Sequence, residues 1–244
     1  MQRKNYRGEM IPAYGMWIVV SALIGIGVLW LIGLIEDKHA AIYAGAVGAM
    51  GLLGFLDDVF GSREVGGFRG HFKELVFQRR LTTGGVKALG GGIVAVAIGA
   101  SISRGDVLQL VLAAGLVALS ANTLNLLDLR PGRASAAFFA GMATAILAAG
   151  FRVVSPWAVA AVVVPTIIGY WWDRNARAMM GDAGSNALGA VIGVTFAMSG
   201  PIWAQAAFLT LLLLLNIYSE KRSITEALER HPFLNGIDRL TGVR

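Results

Sequence analysis

Eight apolar segments occupy most of this 244-residue chain, and most of them are long enough to cross the hydrocarbon core of a lipid bilayer. Hydrophobic residues make up 56% of the sequence and charged residues only 15%, which excludes an ordinary soluble domain. The pattern predicts an all-α polytopic membrane protein with a single domain over residues 1–244, built as a bundle of about eight transmembrane helices. The predicted spans lie at about 11–35, 40–56, 86–101, 105–127, 134–151, 154–172, 183–198 and 201–219.

Lysine and arginine residues are distributed unevenly between the two sides of the predicted membrane. With an even number of spans both termini lie on one side, and 18 of the 21 Lys and Arg residues fall there. The other side holds Lys38, Arg104 and Arg152. Because cytoplasmic loops are enriched in Lys and Arg, both termini are predicted to be cytoplasmic. The net charge of +6 then reflects an anionic leaflet and requires no nucleic-acid partner.

Three polar clusters fall at the cytoplasmic ends of predicted spans. They are Asp57-Asp58, the segment 122–128 and the turn 181–186. Polar groups at the ends of apolar spans are costly unless they line a cavity or hold an ion. We therefore expect the three clusters to converge on one active site in cytoplasmic loops.

Asp57 and Asp58 are adjacent carboxylates at the end of the second span. Neighbouring helix positions point about 100° apart, so we expect one side chain to face the cavity and the other a cation or a helix end. A Mg²⁺ ion with phosphate oxygens would compensate their charge, and one carboxylate could accept a proton from a phosphate nucleophile. The alternative is an acidic pair that is simply solvated.

Asn122, Asn125 and Asp128 recur every three residues at the end of the fourth span and form a broad helical stripe. The stripe could read a nucleobase or complete a metal shell, or the amides could form interhelical hydrogen bonds. Asp182 precedes the seventh span. It could be a metal ligand, with small residues admitting a phosphate beside it, or a helix N-cap.

Lys73 and Lys87 lie in the segment between the second and third spans, close in sequence to the paired carboxylates. Cations beside metal-binding acids could hold a diphosphate. Either lysine could instead be loop charge that sets the orientation of the neighbouring span.

The motifs at residues 5–12, 57–58, 122–128 and 181–185 resemble, in order and topology, those of the polyprenyl-phosphate N-acetylhexosamine-1-phosphate transferases, glycosyltransferase family 4. The similarity covers nearly the whole chain. It implies transfer of a sugar 1-phosphate from a UDP-sugar to a polyprenyl phosphate such as undecaprenyl phosphate. It further implies release of UMP, dependence on Mg²⁺, and a site at the cytoplasmic face of a prokaryotic inner membrane in cell-wall or surface-polysaccharide synthesis.

The resemblance assigns roles to individual positions. Asp57 and Asp58 match paired aspartates that activate the lipid phosphate or hold the metal, and Asp182 matches a Mg²⁺ ligand. Lys87 resembles a lysine that contacts phosphate. The resemblance therefore implies catalysis by the three aspartates, with Asp57 and Asp182 as the metal ligands.

Asn125 and Asp128 match the start of the family's uridine- and metal-side motif, but the sequence then departs from it. Pro131 stands where the family commonly has a second aspartate. Arg130 and Arg133 follow Asp128 at the membrane face, and we expect their guanidinium groups to grip the diphosphate of the UDP-sugar. The alternative is that both arginines only set the orientation of the neighbouring spans.

Further departures keep two other functions open. The chain has eight predicted spans where the family has about ten, and His231 is a single histidine where many relatives have several. A catalytically altered member could bind a lipid-linked intermediate or a partner without turnover. A transporter is less favoured, because the acids lie at span ends, Pro165 is the one proline deep inside a span, and no inverted repeat is detectable.

The predicted topology can be tested with reporter fusions. Fusions at Gly66, Gly132 and the C-terminus should report the cytoplasm, and fusions at Arg104 or Arg152 the outside, because of the uneven distribution of cations. Paired alkaline phosphatase and green fluorescent protein reporters would measure this. Finding Gly66 and Gly132 on opposite faces would end the model of one shared site.

Overall fold

The structure is a computed structural model that describes residues 2–4, 10–61 and 83–243. This part of the chain contains ten helices and two three-residue strands that pair antiparallel. The elements are β1 Gln2–Lys4, β2 Met10–Pro12, α1 Gly15–Leu31, α2 Asp37–Phe60, α3 Thr83–Ser103, α4 Val107–Leu127, α5 Arg133–Ala148, α6 Pro156–Arg174, α7 Gly181–Ser199, α8 Ile202–Ser219, α9 Ile224–Arg230 and α10 Pro232–Thr241. Apart from the strand pair the fold is all-helical, as predicted.

The first eight helices coincide with the eight predicted spans, with ends that differ by a few residues. In the described part of the chain, three helices are both long enough and apolar enough to cross a membrane: α2, α4 and α8. The helices α1 and α5 and the segment Lys87–Ser103 of α3 are apolar but shorter. The apolar helices are those of a membrane protein, and the number of crossings stays a prediction.

The helix α7 lies at the centre of the bundle, and all but three of its 19 residues are buried. Its sequence is rich in glycine, alanine and serine, and it packs chiefly against α2 and α4. A helix that is apolar on all sides is normally surrounded by others, and small residues let helix backbones approach closely inside a membrane. The composition of α7 therefore explains its central position.

Glycines on α7 lie directly against the backbone of α4. A Cβ atom on Gly189 would overlap the backbone of Ser120 and Ala121, and one on Gly193 would overlap the backbone of Leu116. Because these neighbours are main-chain atoms rather than flexible side-chain ends, the two helices would have to separate to admit a methyl group. The close approach of α4 and α7 thus depends on glycine.

The two C-terminal helices, α9 and α10, pack against one end of the bundle at the loop between α4 and α5. The hydroxyl of Tyr170 in α6 donates to the carbonyl of Thr241 at 2.9 Å, and the amide of Val243 donates to the carbonyl of Arg174 at 2.7 Å. Gly132 precedes α5 with a φ of +72°, and a Cβ atom there would overlap the carbonyl of Thr241. Glycine at this position permits both the turn and the contact.

Substitution of Gly189 by alanine tests the close packing of α4 and α7. We expect Gly189→Ala to lower the free energy of unfolding by about 1–3 kcal/mol, the usual effect of overpacking a core. Gly45→Ala in α2 is the matched control, because nothing lies within 4 Å of a Cβ atom at that position. Thermal unfolding in detergent would measure both, and equal melting temperatures would contradict the packing argument.

Candidate active site

Four aspartates and one lysine lie together where α2 and α4 end and α7 begins. Asp57 and Asp58 lie in the last turn of α2, Asp128 caps the end of α4, and Asp182 lies in the first turn of α7. Lys87 reaches the group from α3. The structure therefore brings together predicted site residues that are up to 125 positions apart in sequence.

Asp58 and Asp128 accept hydrogen bonds from the backbone of α7. The amides of Asp182 and Ala183 donate to the two carboxylate oxygens of Asp58 at 3.0 and 3.1 Å, and the amide of Gly181 donates to Asp128 Oδ2 at 2.8 Å. The first amides of a helix have no partner within the helix, and the positive end of its dipole favours an anion. Both aspartates thus cap α7 from neighbouring helices.

Asp57 and Asp182 share the ammonium group of Lys87. The Nζ atom of Lys87 donates to Asp57 Oδ2 at 3.2 Å and to Asp182 Oδ2. The three side chains are 15–22% exposed, so the ion pairs are partly shielded from solvent. The adjacent aspartates diverge as the helix geometry requires, with Asp57 toward a cation and Asp58 toward a helix end.

The side chain of Asp182 does not cap its own helix. The residue at the N-cap position of α7 is Met180, which makes no capping hydrogen bond with its side chain. The Asp182 carboxylate faces Lys87, while the backbone amide of Asp182 is held by Asp58. Its carboxylate is thus engaged in an ion pair with Lys87, and the role of Asp182 as a metal ligand stays a prediction.

Two carboxylates suit a Mg²⁺ site that a phosphorylated substrate completes. Within the described ranges no three Asp, Glu, His or Cys side chains are grouped so that they could hold a metal by themselves. Mg²⁺ is commonly bound by one or two carboxylates together with substrate phosphates and water. Asp57 and Asp182 supply that number of carboxylates on facing helices, with Lys87 between them.

The predicted polar stripe on α4 divides between two neighbouring helices. The amide group of Asn125 donates to Ser185 Oγ in α7 at 3.3 Å, next to the cluster. Asn122 instead donates to Asn216 in α8, which donates to Thr123 Oγ1 at 2.8 Å. Asn122 therefore forms the interhelical hydrogen bond that was its alternative role, and only Asn125 and Asp128 lie near the site.

Arg133 has a different partner from the one predicted. Its Nε and one terminal nitrogen donate to the two carboxylate oxygens of Asp238 at 2.7 and 2.9 Å, and the other terminal nitrogen donates to Thr225 Oγ1 at 2.9 Å. Arg133 is only 4% exposed. Its guanidinium fork is thus used in holding the C-terminal helices, and the structure does not support the predicted diphosphate contact.

The remaining predicted substrate-binding residues contact the C-terminal segment or lie outside the described residues. Arg130 donates to Glu229 Oε1 at 3.1 Å, a contact with the C-terminal segment. Lys73 falls in the range 62–82 and residues 5–9 of the N-terminal motif also lie outside the described residues. Their predicted roles stay predictions.

Sequence reasoning missed a buried polar cluster beside the site. Asp173 in α6 is 1% exposed and accepts hydrogen bonds from Ser135 Oγ at 2.8 Å and from the Tyr14 hydroxyl at 3.1 Å. A Cβ atom on Gly169 would overlap the Tyr14 ring. The available signal was an acid at the end of an apolar span, a position that normally requires a partner.

Comparison with known protein families gives one result. The sequence model of a family described as Glycosyl transferase family 4 matches residues 40–200, which include Asp57, Lys87, Asp128 and Asp182. No curated protein sequence matches the chain. The family match covers more than half of the chain and ends before the C-terminal helices α9 and α10.

The capping role of Asp58 can be separated from the ion-pair role of Asp57. Asp58→Ala leaves the amides of Asp182 and Ala183 without their acceptor, and we expect a loss of about 1–3 kcal/mol in unfolding free energy. Asp57→Ala is the matched control, because it removes a partner of Lys87 but no cap of α7. Chemical unfolding in mixed micelles measures both, and an equal loss in the two variants would contradict the capping role.

Proposed function

Because the chain belongs to glycosyl transferase family 4, we propose that it transfers a sugar 1-phosphate from a UDP-sugar to a polyprenyl phosphate and releases UMP. Family membership indicates a transferase, and the apolar helices place it in a membrane. The proposal adds the UDP-sugar donor, Mg²⁺ as cofactor and a role in cell-wall or surface-polysaccharide synthesis at the cytoplasmic face of a prokaryotic inner membrane. The observation that carries it is the cluster of Asp57, Lys87 and Asp182 at one end of the bundle.

The proposed reaction exchanges one phosphoanhydride bond for another. An oxygen of the polyprenyl phosphate attacks the phosphorus attached to the sugar, and the bond from that phosphorus to the UMP oxygen breaks. UMP departs with the electron pair, and the product is a polyprenyl diphosphate sugar. Since the bonds formed and broken are alike, the protein contributes mainly by positioning two anionic substrates and offsetting their charge.

Each charged residue of the cluster has a separate task in this proposal. Asp57 is the carboxylate available to orient the lipid phosphate and to accept its proton, because Asp58 is occupied by two backbone amides. Asp57 and Asp182 would hold Mg²⁺, which when bound supplies positive charge to the diphosphate oxygens. Lys87 moves from the carboxylates to the phosphates as the substrates arrive, and there it stabilises the developing charge.

Asp58 and Asp128 are positioning residues in this scheme. They occupy the amides of Gly181, Asp182 and Ala183, so these amides are not free donors for a phosphate. Their effect is to fix the first turn of α7 and with it the direction of the Asp182 side chain. Asn125, bonded to Ser185 one turn further along α7, would contact the nucleotide in this scheme.

A second candidate is a catalytically altered member of the same family that binds a lipid-linked intermediate. It is favoured by Pro131, which stands in place of a carboxylate, and by Arg133, whose guanidinium is committed to Asp238. A transporter is disfavoured by the family match and by the position of the charged cluster at helix ends.

An assay for UMP distinguishes turnover from binding. The purified full-length protein with undecaprenyl phosphate, Mg²⁺ and a panel of UDP-sugars should release UMP with at least one donor, and a chelator should abolish the release. We expect Asp182→Asn to lower the rate about 100-fold or more, because an amide offers the metal no charge. Glu36→Gln is the control, since Glu36 is an exposed acid at the opposite end of α2.

The outcomes separate the two candidates. Unchanged activity of Asp182→Asn would refute the metal-ligand role. No UMP from any donor, together with saturable binding of a polyprenyl diphosphate sugar, would replace the transferase with the binding protein.

A further inference from the structure

The C-terminal helix α10 turns its apolar face away from the protein. Phe233, Ile237 and Leu240 follow one another at helical spacing and are 78%, 47% and 76% exposed. The side of the helix that touches the bundle carries Asp238, which is 6% exposed. This distribution is the reverse of a helix on the surface of a soluble protein, where the apolar face packs inward.

The docking of α10 on the bundle depends on polar contacts. Asp238 receives both hydrogen bonds of the Arg133 fork, and the pair is almost fully buried. A buried, bidentate pair of this kind fixes geometry, because breaking it leaves a charge without compensation. The rotation of α10 about its own axis is therefore set by Asp238, and the outward direction of Phe233 and Leu240 follows from it.

The end of α10 is hydrogen-bonded to α6 beside two exposed tryptophans. Thr241 accepts a hydrogen bond from Tyr170, and Val243 donates to the carbonyl of Arg174. Trp171 and Trp172 lie between Tyr170 and Arg174 in α6, and they are 61% and 47% exposed. Tryptophan is enriched where a membrane protein crosses from lipid to water, so the pair marks the membrane interface on this side of the bundle.

We propose that α10 lies in the interface of the membrane that the bundle crosses, with Phe233, Ile237 and Leu240 inserted among the lipids. An interfacial helix has a large apolar stripe beside a charged face and immerses the stripe by about 5–10 Å. Asn235 and Arg239, which are hydrogen-bonded to each other, lie on the side that would face water and the lipid headgroups. The occupant of the apolar face is phospholipid.

The proposal goes beyond the transferase function and does not rest on it. The apolar face lies outside the region of the family match, and none of its residues belongs to the cluster around Lys87. Its link to that cluster is the loop 128–132, where Pro131 and Gly132 touch Gly242 and Thr241. The interfacial helix would thus support the loop that carries Asp128.

Spin labels at single cysteines test the proposal directly, because the chain contains no cysteine. Phe233→Cys and Leu240→Cys place a nitroxide on the apolar face, and Arg239→Cys, one residue before Leu240, is the matched control on the polar side. In the full-length protein in phospholipid nanodiscs, we expect labels at 233 and 240 to collide with oxygen several-fold more than with a water-soluble nickel chelate. The label at 239 should show the opposite preference.

Two results would overturn the proposal. Equal access of the nickel chelate at 240 and 239 would place the apolar face in water. Protection of 233 and 240 from both collision agents would mean that protein, such as a second copy of the chain, covers the face. Each labelled variant should first melt within the range of the cysteine-free protein, since all three sites are exposed and lack core contacts.

Discussion

The backbone amides at the start of a buried helix need hydrogen-bond acceptors, and for α7 two other helices supply them. Asp58 at the end of α2 and Asp128 at the end of α4 accept the hydrogen bonds of Gly181, Asp182 and Ala183. In an apolar environment a backbone amide without an acceptor costs roughly several kcal/mol. These three hydrogen bonds therefore fix the positions of α2, α4 and α7 relative to one another. Three other features depend on that arrangement: the direction of the Asp182 side chain, the position of Lys87, and the close packing of the glycines of α7 against α4.

The balance of charge around this helix end is the physical argument for the proposed Mg²⁺ ion. Four carboxylates converge there, and Lys87 is the cation that two of them share. The helix dipole and backbone amides offset part of the charge on Asp58 and Asp128. When the proposed diphosphate and lipid phosphate enter, the ammonium of Lys87 cannot serve both substrates and both carboxylates. A divalent cation between Asp57 and Asp182 would remove this conflict.

The sequence was sufficient for the parts of the fold that the bilayer dictates. Spans are recognised because lipid requires long uninterrupted apolar segments, and the helices α1–α8 fall at the predicted positions. The gathering of Asp57, Asp128 and Asp182 followed from assigning span ends to the same side. The number of crossings and the chemical roles of these residues are still predictions.

The identity of individual partners could not be read from the sequence. The acceptor role of Asp58 involves backbone amides more than 120 positions away, which carry no sequence signal. The partner of Arg133 is Asp238, and nothing in the local sequence distinguishes Asp238 from the other acidic residues of the chain. The prediction therefore assigned Arg133 to a phosphate instead. Asn122 and Asn125 differ by about 60° around the helix, and only the packing of α7 and α8 decides which neighbour each one meets.

The central position of α7 has a consequence for how the chain assembles during synthesis. Six helices of the described part of the chain leave the ribosome before it, and α2 and α4, which flank it, are among them. Until Gly181 emerges, the amides of α7 that donate to Asp58 and Asp128 in the finished bundle are absent. The packing of α2 and α4 on either side of α7 can therefore be completed only after that helix has been made. Its glycines, which lie directly against the backbone of α4, let it pack closely between helices that are already made.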